Sequence, residues 1–597
     1  MRIRILLIAF AVFWLLLLVR IYYISIKSNT YYEEIAKQNA IKVEKLAPLR
    51  GSILDINGKP LSVNKLGFSI AITPHLSSRR SEKKLDSLIH FLSQNIPNLD
   101  AQKIKKTYIK RDSPYSHEFV KVIDFITYDE IIEKFAKISL MEDLEIKAAS
   151  KRHYPYKELA SHIIGYVGKA NLKDMQDDEV VKLVGYIGRT GIEKYYNDVL
   201  QGTLGEKRTK VTAFNEEIEE IDKKLPTSKD IQLSLDLDLQ KFIAESFGDQ
   251  SGAVIVMNAK NGKIVAAGSF PEYDLNQFVT GITQEEWEKL ANDFNHPFTN
   301  KLINGLYPPG SVVKMGVGLA FMESGLINPY TSYYCTGSME LGGRNFRCWK
   351  KDGHGKVDLI RAIRESCDDY FYKGSLKVGI DTISPVLEQL GFATKTGIDL
   401  PNEFLGSVPG RSWKMMKYQK PWYQGETLIT SIGQGYFLTT PMQVARHTAL
   451  IATGYGVTPH FIDSIDGLEV DYGKDDTIFN EIQKRYLPTI RKGMHEVITS
   501  PRGTGHNYIK TKVDIAGKTG TAQVVGIPQG EKERMKESEL EYYHRSHAWM
   551  TTYGPFKNPQ YVVTVMVEHG GHGGHAAGEI VSKIYDKLLE KGYIKGE

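Results

Sequence analysis

A chain of 597 residues is too long for one compact core, and a net charge of +5 is too small to indicate a nucleic-acid-binding face. Hydrophobic residues make up 42% and charged residues 25% of the chain, as is typical of globular domains. Only three cysteines occur, which excludes a small fold stapled by several disulfides. We expect about two to four domains and no nucleic acid as a partner.

The first predicted element is a membrane-spanning helix. An apolar run covers residues 5–26, and its only charged residue is Arg20. A spanning helix needs about 20 apolar residues, and Arg20 can snorkel to the interface. No small-x-small cleavage site follows the run, which favours an uncleaved anchor over a signal peptide. Arg2 and Arg4 predict that residues 1–4 are cytoplasmic and that the rest of the chain lies outside.

The segment after the anchor, residues 27–228, is polar and mixed in pattern. Asn-Gly at the centre of residues 55–59 predicts a hairpin turn. Residues 85–147 are rich in Lys, Glu, Ile and Leu, partly at helical spacing. Residues 214–228 are charged and poor in apolar side chains, which predicts a linker.

Residues 229–597 have a different pattern. We expect a strand at 231–235 and a helix at 237–247. Residues 252–257 and 263–267 flank an Asn-Gly pair and predict a hairpin. The elements predicted near the C-terminus are strands at 547–553 and 561–567 and a helix at 580–591. Early strands, a helical middle and late strands indicate an antiparallel sheet faced by helices.

A serine and a lysine three residues apart form the first candidate catalytic pair. Pro308 and Pro309 precede a helical pattern, so Ser311 is predicted at a helix N-terminus with Lys314 on the same face. A serine is a poor nucleophile until a base removes its proton. A lysine that burial and a second cation keep neutral can be that base. Alone, the spacing S-x-x-K is common by chance.

Two further motifs follow in a fixed order. Ser366 and Asp368 form S-x-D, and residues 518–521 read K-T-G-T within a predicted strand. A phosphate-binding loop is excluded, because position 512 would have to be glycine and is Lys512. The ordered set S-x-x-K, S-x-D and K-T-G resembles the penicillin-interacting serine acyltransferases, which include penicillin-binding proteins and serine β-lactamases.

The resemblance extends to the N-terminal half. Residues 50–58 resemble the RGxIxDRNG box of the class B penicillin-binding proteins, and their dimerisation region is similar to residues 152–155, 160–168 and 188–193. Bifunctional class A enzymes carry the signature E-D-x-x-F-x-x-H-x-G. It is not found in residues 27–228, so we expect no glycan polymerisation by this chain.

The resemblance implies an α+β protein. It would have a cytoplasmic tail and a transmembrane anchor, an elongated mixed α/β pedestal or dimerisation domain at 27–228, and a transpeptidase domain at 229–597. Its implied function is that of a peptidoglycan D,D-transpeptidase of cell-wall elongation and cell-shape maintenance, anchored once in the inner membrane with a periplasmic catalytic domain. Implied partners are stem peptides ending in D-Ala-D-Ala, β-lactams, a SEDS-family glycosyltransferase and elongation-complex proteins. Catalysis would need no cofactor.

The family's catalytic roles carry over by position. Ser311 would be the acylated nucleophile, and Lys314 its base, kept partly neutral by burial and by the charge of Lys518. Ser366 would relay a proton to the leaving D-alanine and from the incoming amine. Asp368 stands where many relatives have asparagine. The resemblance leaves open whether Asp368 contacts substrate or pairs with a lysine.

The K-T-G-T strand carries the implied substrate-binding residues. Lys518, Thr519 and Thr521 would hold the terminal carboxylate of the stem peptide, with Gly520 beside them. The backbone N–H groups of Ser311 and Thr521 would form the oxyanion hole.

All three cysteines fall in one region, at Cys335, Cys348 and Cys367, with His354 between them. A structural zinc site is one interpretation, and a disulfide with one free thiol, or three unpaired buried thiols, are the others. The clustering, the odd number of cysteines and the position of His354 favour zinc. The resemblance adds weight, since zinc held by mixed carboxylate, His and Cys ligands is known in this branch.

A histidine-rich segment near the C-terminus and two alternative functions remain to be considered. His569, His572 and His575 lie among glycines, which favours a flexible loop over a second metal site. The same acyl-enzyme could instead be resolved by water, as in a D,D-carboxypeptidase or β-lactamase. The chain could also act mainly as a scaffold that activates a SEDS glycosyltransferase.

Overall fold

The computed structural model describes residues 2–27, 41–78, 81–97, 99–212, 217–525 and 537–595. The chain divides into two compact units. The smaller unit comprises Met1–Gly51, Ala170–Gly185 and Gln201–Lys229. The larger unit comprises Ser52–Lys169, Tyr186–Leu200 and Asp230–Glu597. The expected domain boundary at 228/229 stays a prediction.

The smaller unit begins with the apolar helix Arg2–Tyr22, which continues as a π-helical turn at Tyr23–Lys27. Residues Ile3–Ser25 are long and apolar enough to cross a membrane, and their side chains are not buried by the rest of the protein. The predicted anchor at 5–26 therefore fits a single-pass membrane helix.

A three-stranded antiparallel sheet forms the rest of the smaller unit, in the order Ile41–Leu46, Gly205–Val211, Glu217–Lys224. Two short helices, Leu172–Asp177 and Glu179–Val184, accompany it. The predicted linker is wrong over Glu217–Lys224. Every residue of this strand is exposed, so it lacks the apolar alternation that marks a half-buried strand.

A mixed seven-stranded sheet lies in the larger unit. Its strand order is Leu468–Glu469, Ile462–Ile465, Ile231–Leu233, Ile53–Leu54, Pro60–Ile72 and Val120–Thr127, with Leu144–His153 also paired to Pro60–Ile72. The predicted hairpin turn is confirmed, since the Gly58 N–H donates to the Asp55 carbonyl at 3.0 Å. The helical pattern at 85–147 corresponds to helices Glu82–Asn95, Ala101–Arg111 and Tyr128–Ser139. Short elements follow at Ser161–Ile164, Val167–Lys169, Tyr186–Gly188, Gly191–Tyr195 and Asn197–Gln201.

The predicted antiparallel sheet faced by helices is confirmed. We call it the central sheet, and its strand order is Ile264–Phe270, Gly252–Asn258, Tyr561–Val567, His547–Gly554 and Ala516–Ala522. Helices Leu237–Phe247 and Gly573–Glu590 pack on one face through a shared apolar cluster. Helix Pro441–Thr453 packs against the sheet through the main apolar core. The sheet is therefore covered by helices, as its apolar strands require.

The C-terminal helix begins earlier than predicted, at Gly573. The expectation of a flexible loop is therefore wrong for residues 573–575, which form the first helical turn. A Cβ at Gly573 would lie 2.0 Å from the carbonyl oxygen of Gly520, so only glycine fits against the central sheet there. Close packing against the sheet thus requires glycine at position 573, although glycine is a weak helix former.

The helical middle surrounds the helix Lys314–Glu323, in which every residue from Lys314 to Met322 is buried. Apart from Lys314 and Glu323 at its ends, this helix is apolar on all sides because it lies in the core. The other helices of this region are Asn276–Thr280, Gln284–Ala291, Leu359–Arg364, Asp368–Val378, Ile380–Gln389, Arg411–Tyr418, Gln424–Ser431 and Glu481–Thr499. Two small hairpin sheets pair Tyr333–Cys335 with Gly355–Val357 and Ser338–Leu341 with Arg344–Arg347. Single 3-10 turns occur at Glu537–Glu539 and Tyr542–His544.

Candidate active site

Ser311 lies in a single 3-10 turn, Gly310–Val313, that leads into the buried helix. In a 3-10 turn, residues three apart lie one above the other, so Ser311 and Lys314 share a side. Ser311 is half-buried, whereas Lys314 is fully buried. The turn is held from outside, because the Gly310 N–H donates to the Gly433 carbonyl at 2.8 Å. The predicted start of the helix is thus confirmed to within one turn.

The Lys314 ammonium contacts the middle motif. It donates to the Asp368 carboxylate at 2.7 Å, to the Ser366 backbone carbonyl at 3.0 Å and to the Ser366 hydroxyl at 3.3 Å. No hydrogen bond among the described residues joins it to the Ser311 hydroxyl. Catalytic hydrogen bonds are often completed only when substrate is bound, so this geometry is compatible with a base one turn away from its nucleophile.

Ser366 joins the two lysines. Its hydroxyl also accepts from the Lys518 ammonium at 2.9 Å, so the two lysine nitrogens flank one oxygen atom. Ser366 has φ +52°, a conformation that non-glycine residues rarely adopt and that costs on the order of 1–3 kcal/mol. All three predicted motifs therefore meet at this hydroxyl.

Lys518 is fully buried, and its ammonium also donates to the Thr519 carbonyl at 2.9 Å. Burial, and then the positive charge of Lys314, holds the pKa of Lys518 well below its ordinary value. That Lys314 is kept partly neutral stays a prediction. In the structure Lys314 has a carboxylate partner in Asp368, whereas Lys518 has none among the described residues.

Asp368 pairs with a lysine, as in one of the two alternatives that the sequence left open. Its second carboxylate oxygen accepts from the Trp349 N–H at 2.9 Å, and its own N–H donates to the Cys348 sulfur at 3.3 Å. Burial raises the pKa of Asp368, and the Lys314 ammonium opposes that rise. Asp368 thus connects the lysine to the loop that carries the cysteines.

The K-T-G-T residues lie on the outermost strand of the central sheet, beside the turn of Ser311. A Cβ at Gly520 would lie 3.1 Å from the Pro309 carbonyl, so glycine permits this close approach. The Thr519 hydroxyl is 2.7 Å from the Thr504 hydroxyl, and the Thr521 hydroxyl accepts from the Gly573 N–H at 3.3 Å. The structure therefore places the substrate-binding candidates next to Ser311, the candidate nucleophile.

Sequence reasoning missed two residues of this site. The Gln434 side chain donates to the Thr521 carbonyl at 3.3 Å. The Trp349 indole donates to the backbone carbonyl of Ser366 at 3.1 Å, while 56% of its surface stays exposed. The Gly433-Gln434-Gly435 sequence was the only signal for the first, because glycines mark close backbone approach, and nothing in the sequence signalled Trp349.

The three cysteines and His354 form a buried cluster beside the site. Their ligand atoms all lie within 4.8 Å of one another. A tetrahedral zinc with bonds of about 2.3 Å sets its ligand atoms roughly 3.8 Å apart, so the donor set fits zinc. The His354 Nδ1 atom lies 3.6 Å from Cys335 Sγ and 3.5 Å from Cys348 Sγ. All three cysteines are free thiols, and the cluster could hold a metal ion.

Hydrogen bonding within the cluster favours the thiolate form of Cys335 and Cys348, which is the form that binds metal, while the same hydrogen bonds raise the pKa of Cys367. Hydrogen bonds from Cys367 and then from His354 lower the pKa of Cys335 to about 6, against the opposing effect of burial. Within the described part of the chain, no other group of His, Cys, Asp and Glu side chains lies close enough to hold a metal, the histidines at 569–575 included.

Comparison with known proteins places this chain in a family. The model of the penicillin-binding protein transpeptidase domain matches residues 252–586, and that of the penicillin-binding protein dimerisation domain matches residues 45–233. The chain is 35% identical to peptidoglycan D,D-transpeptidase MrdA of Haemophilus influenzae, over 96% of this chain and 89% of that protein.

Two solved structures are also similar to this chain. One is the complex between Penicillin-Binding Protein (PBP2) and MreC from Helicobacter pylori, with a TM-score of 0.86, 42% identity, and coverage of 93% of this chain and 99% of that chain. The other is described as structural coordination of polymerization and crosslinking by a peptidoglycan synthase complex, with a TM-score of 0.69, 26% identity, and coverage of 100% and 99%. Family models, sequence relatives and solved structures agree, and the chain belongs to the penicillin-binding peptidoglycan D,D-transpeptidases.

Proposed function

We propose that this transpeptidase works through a serine acyl-enzyme on Ser311. The Ser311 oxygen attacks the carbonyl between the two terminal D-alanines, and its proton passes to Lys314, which acts here as the neutral amine. The bond to the last D-alanine breaks, and Ser366 delivers a proton to the departing amine. An amine of a neighbouring stem peptide then attacks the ester. The new amide forms the cross-link, and the proton returns to the Ser311 oxygen.

One observation carries this proposal, namely the Ser366 hydroxyl flanked by the nitrogens of Lys314 and Lys518 at 3.3 and 2.9 Å. A hydroxyl between two amines can pass a proton from one side to the other without moving its own heavy atom. Asp368 supplies the counter-charge that lets Lys314 be buried. We assign Asp368 to positioning Lys314 and not to binding substrate.

The substrate would lie along the strand that carries Lys518. Thr519 and Thr521 offer hydroxyls, and Lys518 offers a positive charge when protonated, for the terminal carboxylate; Gly520 leaves room for the peptide backbone. The backbone N–H groups of Ser311 and Thr521 would form the oxyanion hole. Loss of one such donor typically costs about 3 kcal/mol of barrier height.

A product assay separates this function from hydrolysis. With uncross-linked peptidoglycan as substrate, we expect cross-linked muropeptide dimers, because a stem-peptide amine resolves the ester. The assay is chromatography and mass spectrometry of muropeptides. Free D-alanine with shortened monomers and no dimers would mark a D,D-carboxypeptidase instead.

The chain's surroundings follow from its N-terminus and its relatives. Arg2 and Arg4 before the apolar helix favour a cytoplasmic N-terminus, with residues 27–597 in the periplasm. The similarity to a complex with MreC and to a peptidoglycan synthase complex supports MreC-like elongation proteins and a SEDS-family glycosyltransferase as partners. We therefore infer a role in cell-wall elongation.

We further propose that Cys335, Cys348, Cys367 and His354 Nδ1 hold a structural zinc ion. When bound, the ion would crosslink the loop of Cys335 and Cys348 to the residue between Ser366 and Asp368. It would supply rigidity and no reaction step.

Removal of this ion should destabilise the protein while leaving its fold recognisable. Cys348→Ser, or incubation with a strong chelator, should lower the apparent Tm by roughly 5–10 °C, because metal-binding energy is folding energy. Differential scanning fluorimetry with metal analysis measures both effects. Ser338→Ala, a change of one side chain in the neighbouring hairpin, is the control. Purified protein that contains no zinc and shows no response to chelator would contradict the assignment.

A further inference from the structure

A cluster of three aromatic rings, two exposed and one half-buried, lies on the surface of the larger unit, and the proposed mechanism does not use it. We call Trp413, Tyr418 and Tyr436 the aromatic platform. Their ring centroids are 5.7 Å apart for Trp413 and Tyr418, 5.6 Å for Trp413 and Tyr436, and 5.1 Å for Tyr418 and Tyr436. The rings are tilted against one another, by 65°, 48° and 31° for these pairs, and the three form one aromatic cluster.

The platform does not serve the core. In the helix Arg411–Tyr418 only Lys414 is buried, and Tyr418 and Tyr436 keep 41% and 39% of their surface exposed. Exposed aromatic side chains that cluster in one patch are typical of binding sites. On surfaces that bind nothing, exposed hydrophobic side chains are scattered singly.

The platform lies close along the chain to residues of the candidate active site. Tyr436 comes two residues after Gln434, whose side chain donates to the backbone carbonyl of Thr521. Two residues span at most about 7 Å. One residue before Gln434, the Gly433 carbonyl accepts from the N–H of Gly310, next to Ser311. The backbone of Tyr436 therefore lies close to the strand along which the substrate is proposed to bind.

The platform also carries positive charge. Residues 411–420 contain four basic and no acidic residues. Arg411 and Lys414 each pair with a carboxylate. The Lys417 ammonium instead lies 5.1 Å from the ring centroid of Trp413 and 5.7 Å from that of Tyr418. The flexible Lys417 side chain can pair with a ligand carboxylate while the neighbouring aromatic rings contact the rings of the same ligand.

We propose that the aromatic platform binds the sugar rings of the peptidoglycan strand whose stem peptide enters the active site. The C–H faces of pyranose rings stack on aromatic faces, and Lys417 can pair with carboxylates of the peptide. This inference rests on the proposed function, because it names where the glycan part of that substrate lies. It gives a role to an aromatic cluster whose Tyr436 follows Gln434 by two residues.

The test is binding of full-length detergent-solubilised protein to glycan strands from which an amidase has removed the peptides. Trp413→Ala and Tyr436→Ala should each weaken this binding about tenfold, since one well-placed aromatic contact contributes up to about 1.5 kcal/mol. Tyr436→Phe keeps the ring and should bind as the wild type does. Tyr330→Ala, at a tyrosine that is 90% exposed elsewhere in the same unit, is the matched control.

Penicillin acylation, measured in parallel, shows whether each variant is folded. Acylation should stay at the wild-type rate in all variants, including Tyr418→Ser, which alters the most exposed ring. Unchanged glycan binding in Trp413→Ala and Tyr436→Ala overturns the proposal. The proposal is also overturned if every variant loses both acylation and glycan binding. It is overturned too if the variants lose binding to a purified partner protein while their glycan binding is unchanged. If instead the serine mechanism is wrong, wild-type protein fails to be acylated while its glycan binding persists.

Discussion

Ser311→Ala should abolish covalent labelling by fluorescent penicillin. The variant lacks the only atom that the proposed mechanism acylates, and the loss of a catalytic serine typically lowers turnover by about a million-fold. Cross-linking of peptidoglycan should fall below detection. Labelling is read on a denaturing gel after a time course. The fold should be unaffected, because Ser311 is half-buried and its side chain makes no hydrogen bond among the described residues.

Ser324→Ala is a matched control for this experiment. Ser324 ends the helix that begins at Lys314, and its hydroxyl donates to the Phe321 carbonyl at 2.7 Å. The control variant should be labelled at the wild-type rate. Labelling of Ser311→Ala at a comparable rate would show that another residue is the nucleophile.

Lys314→Met should lower the acylation rate by about 10²–10⁴-fold, the usual contribution of a general base. It should also lower the free energy of unfolding by about 3–5 kcal/mol, because it leaves the buried Asp368 carboxylate without its partner. Stopped-flow acylation and denaturant unfolding measure the two effects.

The double variant Lys314→Met with Asp368→Asn separates the two roles. It removes both buried charges, so most of the lost stability should return while acylation stays slow. Asp368→Asn alone should destabilise the protein, because Lys314 then lacks its carboxylate. A double variant that regains the acylation rate along with its stability would show that Lys314 acts through structure and is not the base.

Most of the catalytic geometry was predictable because each motif has its own local cause. Pro308 and Pro309 fix where the buried helix begins, and the K-T-G-T residues alternate on a strand whose glycine admits close packing. The central sheet was equally predictable, since its apolar strands and the Asn-Gly hairpin leave clear sequence signals.

Other features depend on contacts between distant segments and leave no local signal. The strand Glu217–Lys224 is exposed and charged, and only its pairing with Gly205–Val211 makes it a strand. Helix Gly573–Glu590 begins among glycines because the sheet lies against it. The pairing of Asp368 with Lys314, and the burial that lowers the pKa of Lys518, arise from segments that are far apart in sequence.

The most direct test of the account is peptide mapping by mass spectrometry after treatment with penicillin. Trypsin should release residues 302–314, which contain Ser311, and residues 365–373, which contain Ser366. We predict one acyl group per chain, on the Ser311 peptide. An acyl group on the Ser366 peptide, or on neither, would contradict the account.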